Sequence, residues 1–207
     1  MAATAPSLPT TWRGALLAAV LMVLGGCSLR GPPPVTPDWA AQRAQLLALD
    51  SWNLRGRVAV KAPAGGGQGD LQWQQQGEQT HLRVSGPFGA GVYEIRWDPA
   101  SLSINSRNGE LSRSWTGQDA AEQFLAEELG WSFPAISTRY WLLGVPDPGF
   151  PARETFSAEG RLAALDQNGW TITYERYVEV SSLSLPARIV LQNPRARLRL
   201  VIDRWSF

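Results

Sequence analysis

Trp52-Asn-Leu-Arg-Gly-Arg-Val-Ala-Val-Lys61 is the stretch that decides the fold. Leu54, Gly56, Val58 and Val60 alternate with Arg55, Arg57 and Lys61. Successive side chains of an extended chain point to opposite faces, so this pattern puts apolar groups on one side and charges on the other. A period of two over such a run predicts a strand buried on one face. Gly65-Gly66-Gly67 then supplies a flexible turn.

The same period continues outward. Leu71 and Trp73 alternate with Asp70, Gln72 and Gln74, and Leu82 and Val84 with His81 and Arg83. Tyr93, Ile95 and Trp97 alternate with Glu94, Arg96 and Asp98; Leu102 and Ile104 follow, and a sixth strand is expected over 110–115. After a helical middle, weak strands lie near 153–157 and 160–167. Clear ones carry Trp170, Ile172 and Tyr174, then Ile189 and Leu191, then Leu198, Leu200 and Ile202. The expectation is a mainly β chain of about eleven antiparallel strands. A long meander with one apolar face must close into a barrel or be covered. About eight strands already leave room for a small ligand, so eleven predict an unfilled interior.

Three helices are expected. One runs from Pro37-Asp38 to about Asp50, with Ala40, Ala44 and Leu47 sharing a face. A second follows Thr116-Gly-Gln-Asp119, which resembles a capping box, and carries Ala121, Phe124, Leu125 and Leu129. A third carries Ile136, Tyr140, Trp141 and Leu143 and ends at Gly144. It is apolar on more than one side, so it is either fully buried or covers something apolar.

Ahead of all this, Leu24-Gly25-Gly26-Cys27 follows the apolar run of residues 15–24 and reads as a lipobox. Residues 1–26 then form a lipoprotein-type signal peptide, removed on maturation. Cys27 becomes the lipidated N-terminus, as N-palmitoyl and S-diacylglycerol cysteine. Residues 27–36, with Pro32-Pro33-Pro34, form an extended tether, and residues 37–207 form one domain. In other lipoproteins an Asp after the lipidated cysteine is the mark of inner-membrane retention; Ser28 stands there in this chain, so likeness to that sorting rule implies the outer membrane.

Composition narrows the function. The chain holds 19 Lys and Arg against 18 Asp and Glu, and Arg13 leaves with the signal peptide, so the mature chain is formally neutral. No nucleic-acid partner is expected from that balance. Ten tryptophans, with only 18% charged residues against a typical ~25%, point to a large apolar interior or an exposed apolar surface. With one Cys committed to lipid and one His, His81, no Cys/His metal site can be assembled. No G-x-S-x-G and no P-loop occurs, so neither an enzyme nor a cofactor is expected.

One turn stands apart. Gly86-Pro87-Phe88-Gly89 places a large ring where a chain reverses in solvent. Either Phe88 folds back onto the core, or it is a wedge for an apolar surface.

These residues together resemble the outer-membrane lipoprotein receptor family LolB. The matching pieces are Cys27-Ser28, Trp52-x-Leu-x-Gly-Arg57, Leu71-x-Trp-Gln-Gln75, Gly86-Pro-Phe-Gly89, Gly130 with Pro134, Trp141-Leu-x-Gly144-x-Pro146, Gly169-Trp-x-Ile-x-Tyr174, Leu185-Pro186, and Leu198-x-Leu-x-Ile202 with Trp205. The resemblance implies an incomplete antiparallel β-barrel with a helical lid over a hydrophobic cavity. It implies receipt of lipoproteins from the periplasmic carrier LolA and their insertion into the outer membrane. Pro87, Phe88 and Gly89 match the loop linked to that insertion. The expected cavity residues are Leu54, Val58, Trp73, Tyr93, Ile95, Trp97, Trp141, Leu143, Ile172 and Leu200. A monomer is expected, with LolA, client acyl chains and outer-membrane lipid as its partners. Two alternatives stand beside this reading: a structural subunit of an outer-membrane assembly complex, pairing through an open sheet edge, and a lipid-anchored hydrolase with a polar cleft.

Overall fold

A computed structural model describes residues 37–63, 65–86, 91–107, 109, 112–117, 120 and 133–207. Val35–Phe207 is one compact unit. Helix α1 spans Pro37–Leu47 and is followed by strands β1 (Ser51–Ala62), β2 (Gly65–Gln76), β3 (Gln79–Ser85), β4 (Val92–Asp98), β5 (Ser101–Ser106) and β6 (Ser112–Thr116). Helix α2 spans Ala135–Leu143, and then come β7 (Arg153–Phe156), β8 (Leu162–Gln167), β9 (Trp170–Val180), β10 (Leu183–Gln192) and β11 (Arg197–Ser206). The expected helix over 119–129, the lipobox with Cys27, the tether, and Pro87, Phe88 and Gly89 lie outside the described residues.

The eleven strands form one antiparallel sheet in the order β6-β5-β4-β3-β2-β1-β11-β10-β9-β8-β7. Each half is a meander, and pairing of β1 with β11 joins the halves. β6 and β7 do not pair, so the sheet is an open, incomplete barrel. The connection between these two edges carries α2, which packs against β10.

Alternation governs β1: Trp52 and Leu54 are buried while Arg55, Arg57, Ala59 and Lys61 are exposed. β11 follows the same rule only to Ile202. A bulge opposite Arg55 and Gly56 inserts Asp203 and restores Trp205 to the inner face. Gly56 makes this possible, because a Cβ there would lie 2.1 Å from the Val201 carbonyl oxygen. β10 carries Pro186 at a second irregularity, where a missing N–H is tolerated.

A row of tryptophans crosses the inner face. Trp205 and Trp52 have ring centroids 5.5 Å apart, Trp52 stacks on Trp73 at 6.1 Å, and Trp97 meets Trp73 edge-on at 5.0 Å. The indole N–H of Trp205 donates to the Pro186 carbonyl and that of Trp73 to Gln75 Oε1. Both indoles therefore bury their polar edge with a partner.

α1 buries a face other than the expected one. Trp39 and Leu46 are buried while Ala40, Ala44 and Leu47 are exposed. The larger side chains win the sheet contact, since burial scales with apolar area. Trp39 meets Phe156 of β7 edge-on at 5.5 Å, its N–H donates to Glu154, and Arg43 pairs with the same carboxylate at 3.0 Å. α1 thereby packs on the inward-facing side chains of β7, and Gln42 donates to the Ser184 carbonyl of β10.

Candidate functional site: an apolar cavity in the open barrel

The inner faces of β1, β2, β3, β4 and β11 enclose a cavity of 570 Å³. That is within the ~300–1,000 Å³ of ligand pockets. Trp73, Trp97, Leu71, Leu102, Leu191 and Leu200 form its buried part. Val58, Val60, Ala62, Val84 and Leu198 are only half-buried and form its upper wall. Ile95 and Leu82 complete the sheet side, while Phe133, Ala135 and Thr138 border it from α2 and the residues before it. No charged side chain among the described residues belongs to this wall. Gly65, Gly66 and Gly67 reach the rim and leave it without side chains.

The end of the cavity near the β2–β3 turn is tied shut. Buried Gln75 accepts from Trp73 and from Thr80 Oγ1, and its Nε2 donates to the Gly77 carbonyl. Arg139 of α2 donates to the same carbonyl at 3.2 Å. The half-buried wall lies toward the opposite end, where the β1–β2 and β3–β4 connections stand. There Gly86 N–H bonds the Gly91 carbonyl at the base of the β3–β4 connection.

Five of the expected cavity residues, Val58, Trp73, Ile95, Trp97 and Leu200, are on this wall. Five others are placed elsewhere. Leu54, Leu143 and Ile172 are packed in the core, 4% exposed or less. Trp141 is wholly buried, donates to Gln167 Oε1 at 2.7 Å, and its carbonyl accepts from Tyr174. It anchors α2 and leaves no face to a guest. Tyr93 shares the parity of Ile95 and Trp97 but is 43% exposed, one step past the cover. Alternation identifies a face; it does not say where along the strand a lid sits.

The helix divides the same way. Its first turn borders the cavity, and its last turn is set into the core. Gly144 ends it at φ +80°, with Gly144 N–H to the Trp141 carbonyl and Val145 N–H to that of Tyr140. Gln167 fixes the chain beyond Gly144: its Nε2 donates to the carbonyls of Asp147 and Phe150, and its Oε1 also accepts from Asp147 N–H. Asp147 takes the Ser137 hydroxyl at 2.6 Å. A lid held this firmly at one end is a fixed wall there.

A family model described as outer membrane lipoprotein LolB matches residues 50–205, a span that holds every described strand but the last residue of β11, and the whole cavity wall. The chain belongs to the LolB family. A protein named outer-membrane lipoprotein LolB from Nitrosococcus oceani is 36% identical over 90% of this chain and 93% of its own length. LolB proteins of Stutzerimonas stutzeri and Pseudomonas aeruginosa are 32% and 34% identical over 92% of this chain and 94% of theirs. Among solved structures, a LolA superfamily protein from Nitrosomonas europaea superposes with a TM-score of 0.52 at 10% identity, covering 81% of this chain and 90% of that one. A putative outer membrane lipoprotein-sorting protein domain from Vibrio parahaemolyticus gives 0.51 at 7% identity, over 81% and 90%. These two likenesses concern the fold alone.

Several wall residues of this LolB-family chain lie outside the expected set: Val60, Ala62, Leu71, Leu82, Val84, Leu102, Leu191 and Leu198. Strand alternation carries the signal for each of them. Phe133, Ala135 and Thr138 have no such signal, since only the folded sheet brings them over the gap.

Proposed function

We propose that this chain takes the acyl chains of lipoproteins into the cavity and releases them into the outer membrane. The carrying observation is the uncharged wall around 570 Å³ of unfilled space. Each methylene exposed to water costs ~0.8 kcal/mol, so a lipoprotein needs an apolar host throughout its passage. Transfer requires only that affinity rise along the route, from a LolA-type carrier to this cavity to the bilayer. Family membership supports the reading. In this reading Cys27 carries the lipid that holds the chain at the periplasmic face of the outer membrane, as a monomer. Phe88, with Pro87 and Gly89, is the wedge that meets lipid during release.

Titration of the Cys27→Ser chain with a fluorescent acyl probe tests it. Saturable binding at one-to-one stoichiometry is expected. Val58→Arg or Leu198→Arg, each on the half-buried wall, should abolish it. Absence of saturable binding by the Cys27→Ser chain overturns the reading.

A further inference from the structure

The mature chain is formally neutral, yet its charges are sorted by the fold. Antiparallel pairing sends alternate turns to opposite ends of the sheet. One end holds the β1–β2, β3–β4, β5–β6 and β10–β11 connections. Lys61, Arg107, Arg113, Arg195 and Arg197 stand there, all exposed. The register places Lys61 directly opposite Arg197, and Arg107 N–H bonds the Val92 carbonyl beside the β3–β4 connection. Lys61, Arg107 and Arg197 make no ion pair among the described residues. The other end carries Asp50, Glu78, Asp98, Glu159 and Glu179 in or beside its turns. Glu154 at the basic end pairs with Arg43, and at the acidic end Arg161 pairs with Glu179 and Arg139 with Glu78, while exposed Arg204 near the acidic end has no ion pair among the described residues. Asp166, at the basic end, accepts from Thr171.

The cavity is not centred between these ends. Ala62 and Gly65–Gly67, at the basic end, are on its rim, whereas Gln75, Thr80 and Arg139 tie the acidic end shut. Thus the half-buried apolar wall, the exposed Tyr93 and the uncompensated cations share one end. An apolar opening with Lys61 and Arg197 beside its rim and Arg107 at the same end matches a surface whose interior is hydrocarbon and whose face is phosphate. We propose that this basic end is the surface the chain lays against an anionic phospholipid bilayer, cavity mouth toward the membrane. The inference rests on the acyl-transfer reading and adds the orientation and the headgroup chemistry. Net neutrality is no obstacle, because at ~0.15 M salt charges separated by more than ~8 Å are largely screened. A membrane sees the near end alone.

Vesicle sedimentation tests it, with the Cys27→Ser chain so that no anchor contributes. Binding to phosphatidylcholine vesicles containing phosphatidylglycerol is expected, weakening as salt rises. The triple variant Lys61→Gln, Arg107→Gln, Arg197→Gln should bind roughly a hundredfold more weakly, since each cation near an anionic surface contributes about fivefold. Asp50→Asn and Glu159→Gln together, at the far end, should leave binding unchanged. All five positions are exposed, so both variants should keep the parent melting temperature. The acyl probe is titrated in parallel. Retained probe binding with lost vesicle binding supports the proposal. Vesicle binding equal in parent and triple variant, or equal with pure phosphatidylcholine, overturns it and leaves the acyl-transfer reading intact. So does a triple variant that still sediments with vesicles but no longer accepts lipoprotein from an acidic carrier. A parent chain that fails to bind the probe is the separate failure of the acyl reading.

Discussion

Gln167 uses every hydrogen-bonding position its amide has. The carbonyl oxygen accepts two bonds and the nitrogen donates two, joining the end of α2 to the segment that enters β7. Gln167→Leu keeps most of the volume and strands two N–H groups and two carbonyls in the core. Buried unsatisfied groups cost ~1–3 kcal/mol each, so a loss of at least ~3 kcal/mol is expected in urea unfolding. Tyr174 sits nearby, buried, with its hydroxyl on the Trp141 carbonyl. Burial, with a smaller contribution from Tyr177, pushes its pKa well above the usual phenol value. Burial raises Tyr177 as well. A raised phenol stays neutral when folded and ionises when unfolded. Its contribution to stability is therefore complete below pH ~10 and is lost as pH rises from there toward the folded value. The parent should lose stability in that alkaline window. Tyr174→Phe should lose less there while giving up ~0.5–1.5 kcal/mol at neutral pH. Equal alkaline slopes in the two proteins would exclude Tyr174 as the source. At Phe88 the expectation is kinetic. Burying one ring contributes roughly 1.5–3 kcal/mol, enough to bias contact with lipid. Phe88→Glu should keep probe binding and slow delivery of a lipoprotein to liposomes; unchanged delivery removes Phe88 from the mechanism.

Strands β1 and β11 are where the two meanders become one sheet, and Gly56 is the point of closest approach. The bulge at Asp203 drives the β11 backbone against it, leaving no volume for a side chain. Gly56→Val should cost at least ~1–3 kcal/mol, as overpacking does, although Val is the better strand former. Stability rising with Val would show that propensity outweighs the backbone contact. Helix α2 illustrates a different point. Its all-round apolar sequence admits two readings, burial or cover, and the helix does both at different turns. Periodicity averages over a whole helix and cannot assign separate duties to its two ends. α1 is legible as a helix but not as to its face, because the Ala spacing marks one side while the bulk of Trp39 and Leu46 decides the other.

The whole molecule keeps a hollow that its own side chains could have filled. Empty volume removes dispersion contacts and destabilises the fold, as core cavities do. A ligand that occupies the hollow only in the folded state must then stabilise it. Acyl probe at a hundredfold over its Kd should add ~2.7 kcal/mol and raise the melting temperature. No rise with saturating probe would mean that the guest sits elsewhere. At this scale the sequence is informative about repetition and poor about closure. Alternation along Leu54–Val60, Leu71–Trp73 and Leu198–Ile202 determined the strands, their buried face and half of the expected cavity wall, because a period of two is a local property of an extended chain. The family resemblance rested instead on an ordered set of short motifs, turns and helix residues among them. Three things needed the tertiary structure. β6 and β7 fail to meet; α2 lies in the connection between them with its last turn set in the core, so that Trp141 and Leu143, like Ile172 and Leu54, are packed away from the wall; and antiparallel turns gather cations from three distant segments at one end. Each depends on residues tens of positions apart becoming neighbours. Long-range proximity is set by how the sheet twists and what packs across it, which no local pattern encodes.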